Sequence, residues 1–209
     1  MDRREAVKYI SILLGGAVVG ADAFLLGCKS NTGTQHEWSP EDVAYLNEIG
    51  ETILPRTATP GAKDANVGEF MTVMINDCYE AADQKAFREG MDKLNEASKK
   101  QFDKDFMNIT LQQRTQLLTT LDKEAKDYQQ KVNEFNGKEN EKEKQEIAKG
   151  NLNYKKDHMA PHYFTLMKQL TMLGFFTSKP GMTQAVRYLA VPGRYEGCVP
   201  YKKGDKLIV

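Results

Sequence analysis

The sequence lacks the short motifs by which redox cofactors and catalytic nucleophiles are usually found. It has no Gly-x-Gly-x-x-Gly after a strand and no Gly-x-x-x-x-Gly-Lys-Ser/Thr, the loops that bind phosphate groups. It also has no Gly-x-Ser-x-Gly turn for a serine nucleophile and no Cys-x-x-Cys-His attachment site for haem. We therefore expect no cofactor site and no catalytic residue in this chain.

An excess of charge is also missing, because 29 Lys and Arg residues balance 29 Asp and Glu residues. Binding to nucleic acid depends on a positive surface, so we expect no nucleic-acid partner. Alternation of apolar and polar residues with a period of two is rare, so strands should be nearly absent. The length of 209 residues is enough for one domain with a sizeable core.

A long apolar run does occur near the N-terminus, where it follows a pair of arginines. Arg3 and Arg4 precede the apolar residues 9–26, and a small residue, Gly27, follows them. This order predicts a secretory signal peptide over residues 1–27, and the arginine pair indicates the twin-arginine export route. An ordinary secretory leader with a chance arginine pair is the alternative. The short run and the charge of Asp22 within it argue against a transmembrane helix.

The run ends in Leu-Leu-Gly-Cys, which is similar to the lipid-attachment box of bacterial lipoproteins. Cys28 would then become the lipidated first residue, and the polar residues 28–38 would form a tether. The protein is accordingly expected in the cell envelope or periplasm, attached to a membrane by lipid. The remaining residues, 39–209, would form the folded domain.

Cysteine and histidine are scarce, with three residues of each. If Cys28 carries lipid, an even pair remains in an oxidising compartment, and we predict a disulfide between Cys78 and Cys198. Two separate thiols, one of them a small buried apolar group, are the alternative. His158 and His162 are four residues apart, but Pro161 should start a helix that leaves His158 outside it. No metal site is therefore predicted.

Apolar residues with helical spacing predict an all-α, single-domain helical bundle. Ser39 is expected to cap a first helix that Pro55 ends, and Thr110 a later helix that ends near Gly137. Between them we expect helices over residues 67–79 and 81–107. In the first of these, one side should be formed by Phe70, Val73, Met74 and Cys78. The charge-rich residues 138–156 are interpreted as a surface insertion, helical or mobile, without a site.

The last strongly apolar helix should begin at Pro161. It is apolar on most sides, which indicates either the central core helix or a core helix that also faces a partner. Its apolar residues are Phe164, Leu166, Met167, Leu170, Met172, Leu173, Phe175 and Phe176. A short helix over residues 182–189 and an irregular C-terminal tail from residue 191 should follow, since the tail is rich in Pro and Gly.

Two segments carry a resemblance to a known family. The first is Ile-Leu-Pro-Arg-Thr-Ala-Thr-Pro-Gly-Ala at residues 53–62, followed by Val67, Glu69-Phe70 and Cys78. The second is Leu-Gly-Phe-Phe-Thr-Ser at residues 173–178, followed by Tyr188, Pro-Gly-Arg-Tyr at residues 192–195 and Cys198. Together they resemble the gluconate 2-dehydrogenase subunit 3 family, the small subunits of membrane-associated flavin dehydrogenases.

The resemblance implies an accessory subunit that is not catalytic alone. In such complexes the large subunit is a flavoprotein of the glucose–methanol–choline oxidoreductase type, which binds FAD and oxidises a sugar or polyol. A cytochrome c subunit often accepts the electrons, and the small subunit carries the export signal and assists maturation and export. The resemblance supplies no catalytic residue, and maps only Cys78 and Cys198 as a bridge.

A docking face is then expected on the last helix and the tail, with Phe175, Phe176, Tyr188 and Tyr195 as anchors. The disulfide would pin the tail to the helix that ends near Cys78. A stand-alone envelope lipoprotein that acts as a structural or binding module is the alternative function.

Overall fold

A computed structural model of the protein describes residues 36–191, 193, 198, 200 and 202–206. The chain divides into two units, Met1–Glu37 and Trp38–Val209, and the account below concerns the second. The predicted signal peptide, with Arg3, Arg4 and the lipid box at Cys28, lies outside the described residues, and so does Tyr195.

Helix α1 (Pro40–Ile53) starts at the predicted cap. The Ser39 hydroxyl accepts the Asp42 N–H at 3.1 Å, and the Asp42 carboxylate accepts the Ser39 N–H at 3.0 Å. This reciprocal capping box satisfies two backbone donors that a helix start leaves unpaired. The helix ends at Ile53, because Pro55 cannot continue it and restricts the residue before it.

Helix α2 (Val67–Cys78) follows a loop and a 3-10 turn (Lys63–Ala65). Helix α2 has Phe70, Val73, Met74 and Cys78 on one side, as their spacing predicts, but this is not its most buried side. Its core side is the row Val67, Met71 and Ile75, all 0% exposed, whereas Val73 is 55% exposed. Apolar residues occupy several sides of this short helix, so the packing against α1, rather than the pattern, selects the buried row.

Helix α3 (Ala81–Phe102) ends five residues before the predicted end at residue 107. The next residue, Asp103, caps it with a φ of 56°. The chain then forms a 3-10 turn (Phe106–Asn108) that inserts Phe106 into the core. Side chains of α3 hold this turn in place. The Asn95 side-chain oxygen accepts the Phe106 N–H at 3.0 Å, and the Ser98 hydroxyl donates to the Lys104 carbonyl at 2.8 Å.

Helix α4 (Leu111–Ala148) has the predicted capping box of Thr110 and Gln113 but does not end near Gly137. One glycine inside a helix costs only about 1 kcal/mol relative to alanine, and the helix continues for another eleven residues. Much of the charge-rich stretch is therefore helical, and it contains one buried carboxylate, Glu139, which is 2% exposed.

Helix α5 (Tyr163–Thr177) begins two residues after Pro161, with His162 as its cap. The His162 Nδ1 atom accepts the Phe164 N–H at 3.3 Å. This helix contacts each of the helices α1, α2, α3 and α4, so it is the central helix of the core, as one of the two interpretations expected. A π-helical turn (Gly181–Ala185) replaces the longer helix predicted over residues 182–189.

The all-α prediction is confirmed: the described residues form five α-helices that share one hydrophobic core, and none of these residues forms a strand. Within the same residues, none of the helices combines the length and apolarity of a transmembrane span.

Candidate functional site

The C-terminal half of α5 is apolar on two sides, and only one of them is buried. Met172, Leu173 and Phe176 are 40%, 45% and 37% exposed. Residues three and four positions apart lie on the same side of a helix. Phe176 is four residues from Met172 and three from Leu173, so it joins the three side chains into one surface. We call it the exposed apolar strip. Further along the chain, Tyr188 (53%) and Val191 (80%) are also exposed.

The structure corrects one of the four predicted anchors. Phe175 is only 3% exposed and belongs to the hydrophobic core, where its ring packs edge-on against Phe176 with centroids 5.1 Å apart. Neighbouring helical residues point about 100° apart, and here that rotation directs Phe175 into the core and leaves Phe176 on the outer side of α5. Phe176 and Tyr188 are available on the surface, and Tyr195 lies outside the described residues.

The loop of residues 54–62 is held in place by two carboxylates. The Glu51 carboxylate accepts the backbone N–H groups of Arg56 and Lys63 at 2.8 and 2.9 Å. The Asp64 carboxylate accepts the Gly61 N–H at 2.8 Å and pairs with the Arg56 guanidinium at 3.0 Å. These bonds satisfy backbone donors that a loop would otherwise leave to water, and they tie the loop to the end of α1 and to the 3-10 turn that follows it.

The two motif segments are adjacent in space. A Cβ atom at Gly50 would lie 3.3 Å from the Cβ of Ala62, at the end of the loop, and 3.8 Å from a methyl group of Thr171 on α5. A Cβ at Gly174 would lie 2.6 Å from the ring of Phe70 on α2, which is tighter than side-chain carbons pack. The loop, α2 and the C-terminal half of α5 are therefore closely packed together.

Residues 40–193 match the family described as gluconate 2-dehydrogenase subunit 3. The chain belongs to this family. The match starts at the first residue of α1, includes residues 53–62 and 173–178 of the two motif segments, and ends in the tail before Tyr195 and Cys198. No curated protein and no solved structure matches the chain. Family membership makes the protein an accessory subunit of a dehydrogenase complex.

The two cysteines of the subunit 3 domain are free thiols in the structure, and both are exposed. Cys78 ends α2, and Cys198 lies in the tail. The structure thus contains no Cys78–Cys198 bond and gives no support to the predicted disulfide, which stays a prediction from cysteine count and compartment.

His158 and His162, for which the sequence predicts no metal site, make separate contacts. The His158 Nε2 atom lies 2.8 Å from a carboxylate oxygen of Asp83 on α3. His162 stacks against Tyr163 with ring centroids 4.3 Å apart, and burial lowers the pKa of His162. In the part of the chain that the structure describes, no group of three or more His, Cys, Asp and Glu residues is arranged to hold a metal.

Sequence reasoning missed the buried carboxylate of Glu139, because it lies in a stretch that composition marks as solvated. Glu139 pairs with Lys142, accepts the Tyr154 hydroxyl at 3.2 Å and accepts the Asp157 N–H at 3.3 Å. The Lys142 hydrogen bond is the main cause of a lowered pKa for Glu139. These contacts fasten the segment after α4 back onto α4, and no local sequence signal announces them.

Proposed function

We propose that this subunit is the non-catalytic partner of an exported FAD-dependent sugar or polyol dehydrogenase. It binds the flavoprotein subunit, of the glucose–methanol–choline oxidoreductase type, through the exposed apolar strip and the segment that follows it. It aids export, maturation or membrane attachment of that subunit by means of the arginine-pair signal and the lipid on Cys28. A cytochrome c subunit takes the electrons within the same complex.

The observation that supports this proposal is the double role of α5. This helix is the central helix of the core, yet Met172, Leu173 and Phe176 remain well exposed on its outer side. Aromatic residues and Met are enriched in the centres of protein interfaces, where they are removed from water. Complete burial of such a side chain is worth roughly 1.5–3 kcal/mol, and less than half of each side chain is still exposed, so a partner gains affinity by covering them but only a fraction of that value from each.

The experiment is co-purification of the flavoprotein with a tagged subunit when the two are co-expressed. The double variant Leu173→Ser/Phe176→Ser removes most of the strip and leaves the core residue Phe175 in place. The control variant Leu111→Ser/Leu152→Ser removes two apolar side chains that are 58% and 78% exposed and are not part of α5, since Leu111 starts α4 and Leu152 follows it. Flavin absorbance of the eluate reports the captured partner, and circular dichroism reports the fold.

We expect the strip variant to lose at least about tenfold in captured flavin, which corresponds to about 1.4 kcal/mol, while the control retains it. Equal capture by both variants would place the interface elsewhere. If the unchanged subunit captures no flavoprotein at all, the proposed function is wrong, and a stand-alone envelope lipoprotein becomes the better description.

Attachment is tested separately from docking. Cys28→Ser should move the protein from the membrane fraction to the soluble fraction of the envelope, because one thiol carries the lipid. Arg3→Lys/Arg4→Lys should retain both subunits in the cytoplasm if the twin-arginine route exports them. Export of the Lys variant at the normal level would favour the ordinary secretory leader.

A further inference from the structure

A cleft lies between α4 and α5, next to the exposed apolar strip. It is open to solvent, has a volume of 480 Å³ and is mainly apolar where solvent reaches it. Ala125 of α4 and Met172 of α5 are among its lining residues, and three charged side chains also line it. The volume falls within the range of ordinary binding sites, although the cleft is a groove between two helices and not an enclosed cavity.

The charges along this cleft do not cancel. The Asp122 carboxylate accepts hydrogen bonds from the ammonium groups of Lys168 at 2.6 Å and Lys126 at 2.9 Å. The Lys168 bond and then the Lys126 bond lower the pKa of Asp122, so this carboxyl group is ionised at neutral pH. The other lining residues are uncharged, so two positive charges share one negative charge and a net charge of +1 remains.

Both lysines are accessible to a partner. Their side chains are 72% exposed for Lys126 and 44% exposed for Lys168. An ammonium group has three donors, and Asp122 occupies one on each lysine. A carboxylate placed between them would therefore gain charge-assisted hydrogen bonds and neutralise the remaining charge.

Met172 joins this cleft to the exposed apolar strip, because it lines the first and belongs to the second. A protein that covers the strip reaches the cleft without crossing intervening polar surface. Cleft and strip are thus two parts of one continuous surface along α5.

We propose that the cleft receives a segment of the flavoprotein subunit that presents a large apolar side chain next to a carboxylate. The apolar side chain packs on Ala125 and Met172, and the carboxylate binds between Lys126 and Lys168. This inference rests on the proposed function and identifies the chemistry of the partner segment. Charge complementarity in the cleft makes the binding of this segment specific, and the exposed apolar strip adds contact area.

Reversal of one charge tests the inference. Lys126→Glu replaces an exposed lysine of the cleft, and the matched control Lys123→Glu replaces an exposed lysine of the same helix that does not line it. The affinity of purified flavoprotein for each variant is measured by calorimetry at low and high salt, after thermal unfolding has shown that both variants are folded.

We expect Lys126→Glu to weaken binding by about tenfold or more at low salt and to reverse the salt dependence, because the cleft charge changes from +1 to −1 and salt then screens a repulsion. Lys123→Glu should change the affinity by less than about twofold. Equal effects of the two variants, or an affinity independent of salt in the unchanged protein, would overturn the inference.

The outcomes separate this inference from the proposed function. If Leu173→Ser/Phe176→Ser abolishes binding while Lys126→Glu has no effect, the flavoprotein docks on the strip but leaves the cleft empty, and the inference fails alone. If the unchanged subunit does not bind the flavoprotein, both fail. If sedimentation shows dimers that Lys126→Glu dissociates without changing flavoprotein binding, the occupant is a second copy of this chain, which also overturns the inference.

Discussion

The close contact of α3 with the start of α5 predicts that replacing Gly90, even by alanine, destabilises the protein. A Cβ atom at this position would lie 2.2 Å from the Cβ and 2.4 Å from the Cγ of Tyr163. Carbon atoms pack at about 3.5–4.0 Å, so the two helices would have to separate by more than about 1 Å. The Cβ and Cγ atoms of Tyr163 are close to its backbone, so a change of rotamer cannot relieve the clash.

The expected magnitude combines two opposing effects. Overpacking of a close-packed core costs typically 1–3 kcal/mol, and this contact lies at the severe end, about 3 kcal/mol. Alanine in place of glycine within a helix stabilises the helix by about 1 kcal/mol. Gly90→Ala should therefore lower the free energy of unfolding by about 2 kcal/mol.

Gly137 provides the matched control, because it also lies inside a helix and a Cβ there would meet nothing within 4 Å. Gly137→Ala should raise the free energy of unfolding by about 0.5–1 kcal/mol. Urea unfolding followed by circular dichroism measures both values. A stabilised Gly90→Ala variant would refute the close α3–α5 packing, and a destabilised Gly137→Ala variant would refute a continuous α4.

Three further predictions concern ionisable groups and thiols. The Arg114 side chain is 13% exposed and binds Glu48 at 2.6 Å and two backbone carbonyls of the turn before α4. Arg114→Lys should therefore cost about 2–3 kcal/mol in urea unfolding, and an unchanged midpoint would contradict this. Burial raises the pKa of Glu48, but hydrogen bonds from Lys63 and Arg114 outweigh it and bring the pKa below the usual value of a glutamate. The stabilisation is complete above the unfolded pKa and is lost as pH falls through the lower folded pKa, so Glu48→Gln should flatten the acid-induced loss of stability, and an unaltered pH profile would count against this. Alkylation of protein isolated from the envelope should modify Cys78 and Cys198 only after reduction if the predicted disulfide forms, whereas modification of both without reductant would show free thiols.

The helix starts were the most predictable part of the fold, because a capping box is a local signal. The hydroxyl groups of Ser39 and Thr110 each accept a backbone N–H from the residue three positions later, so four consecutive residues contain the whole interaction. The end of α4 was not predictable in this way. Its extension past Gly137 is accompanied by contacts of Glu139 with Tyr154 and Asp157, which lie 15 and 18 residues further along the chain.

The sequence predicts that the candidate site is an apolar side of α5, but it predicts only some of the residues that form it. An apolar pattern on most sides of α5 correctly indicates a helix that is buried and has an apolar outer side. It does not tell which of Phe175 and Phe176 points inward, because adjacent residues of such a helix carry the same hydropathy. The surrounding helices decide this, and they place Phe175 in the core. The cleft charge depends on Asp122 and Lys168, 46 residues apart, so no sequence window contains it.

The position of the exposed apolar strip on the core helix, and not on a separate loop, makes docking depend on folding. Gly174 lies between Leu173 and Phe175, and the ring of Phe70 approaches it so closely that a Cβ would lie 2.6 Å away. The strip is therefore supported from beneath by the contact of α2 with α5. A subunit whose α5 is not packed cannot present Leu173 and Phe176 together with a buried Phe175. If the flavoprotein binds this strip, it selects the folded subunit, and binding in turn stabilises that state by mass action. Gly174→Ala should then reduce flavoprotein capture although it adds an apolar group, which a strip acting through apolar area alone would not do.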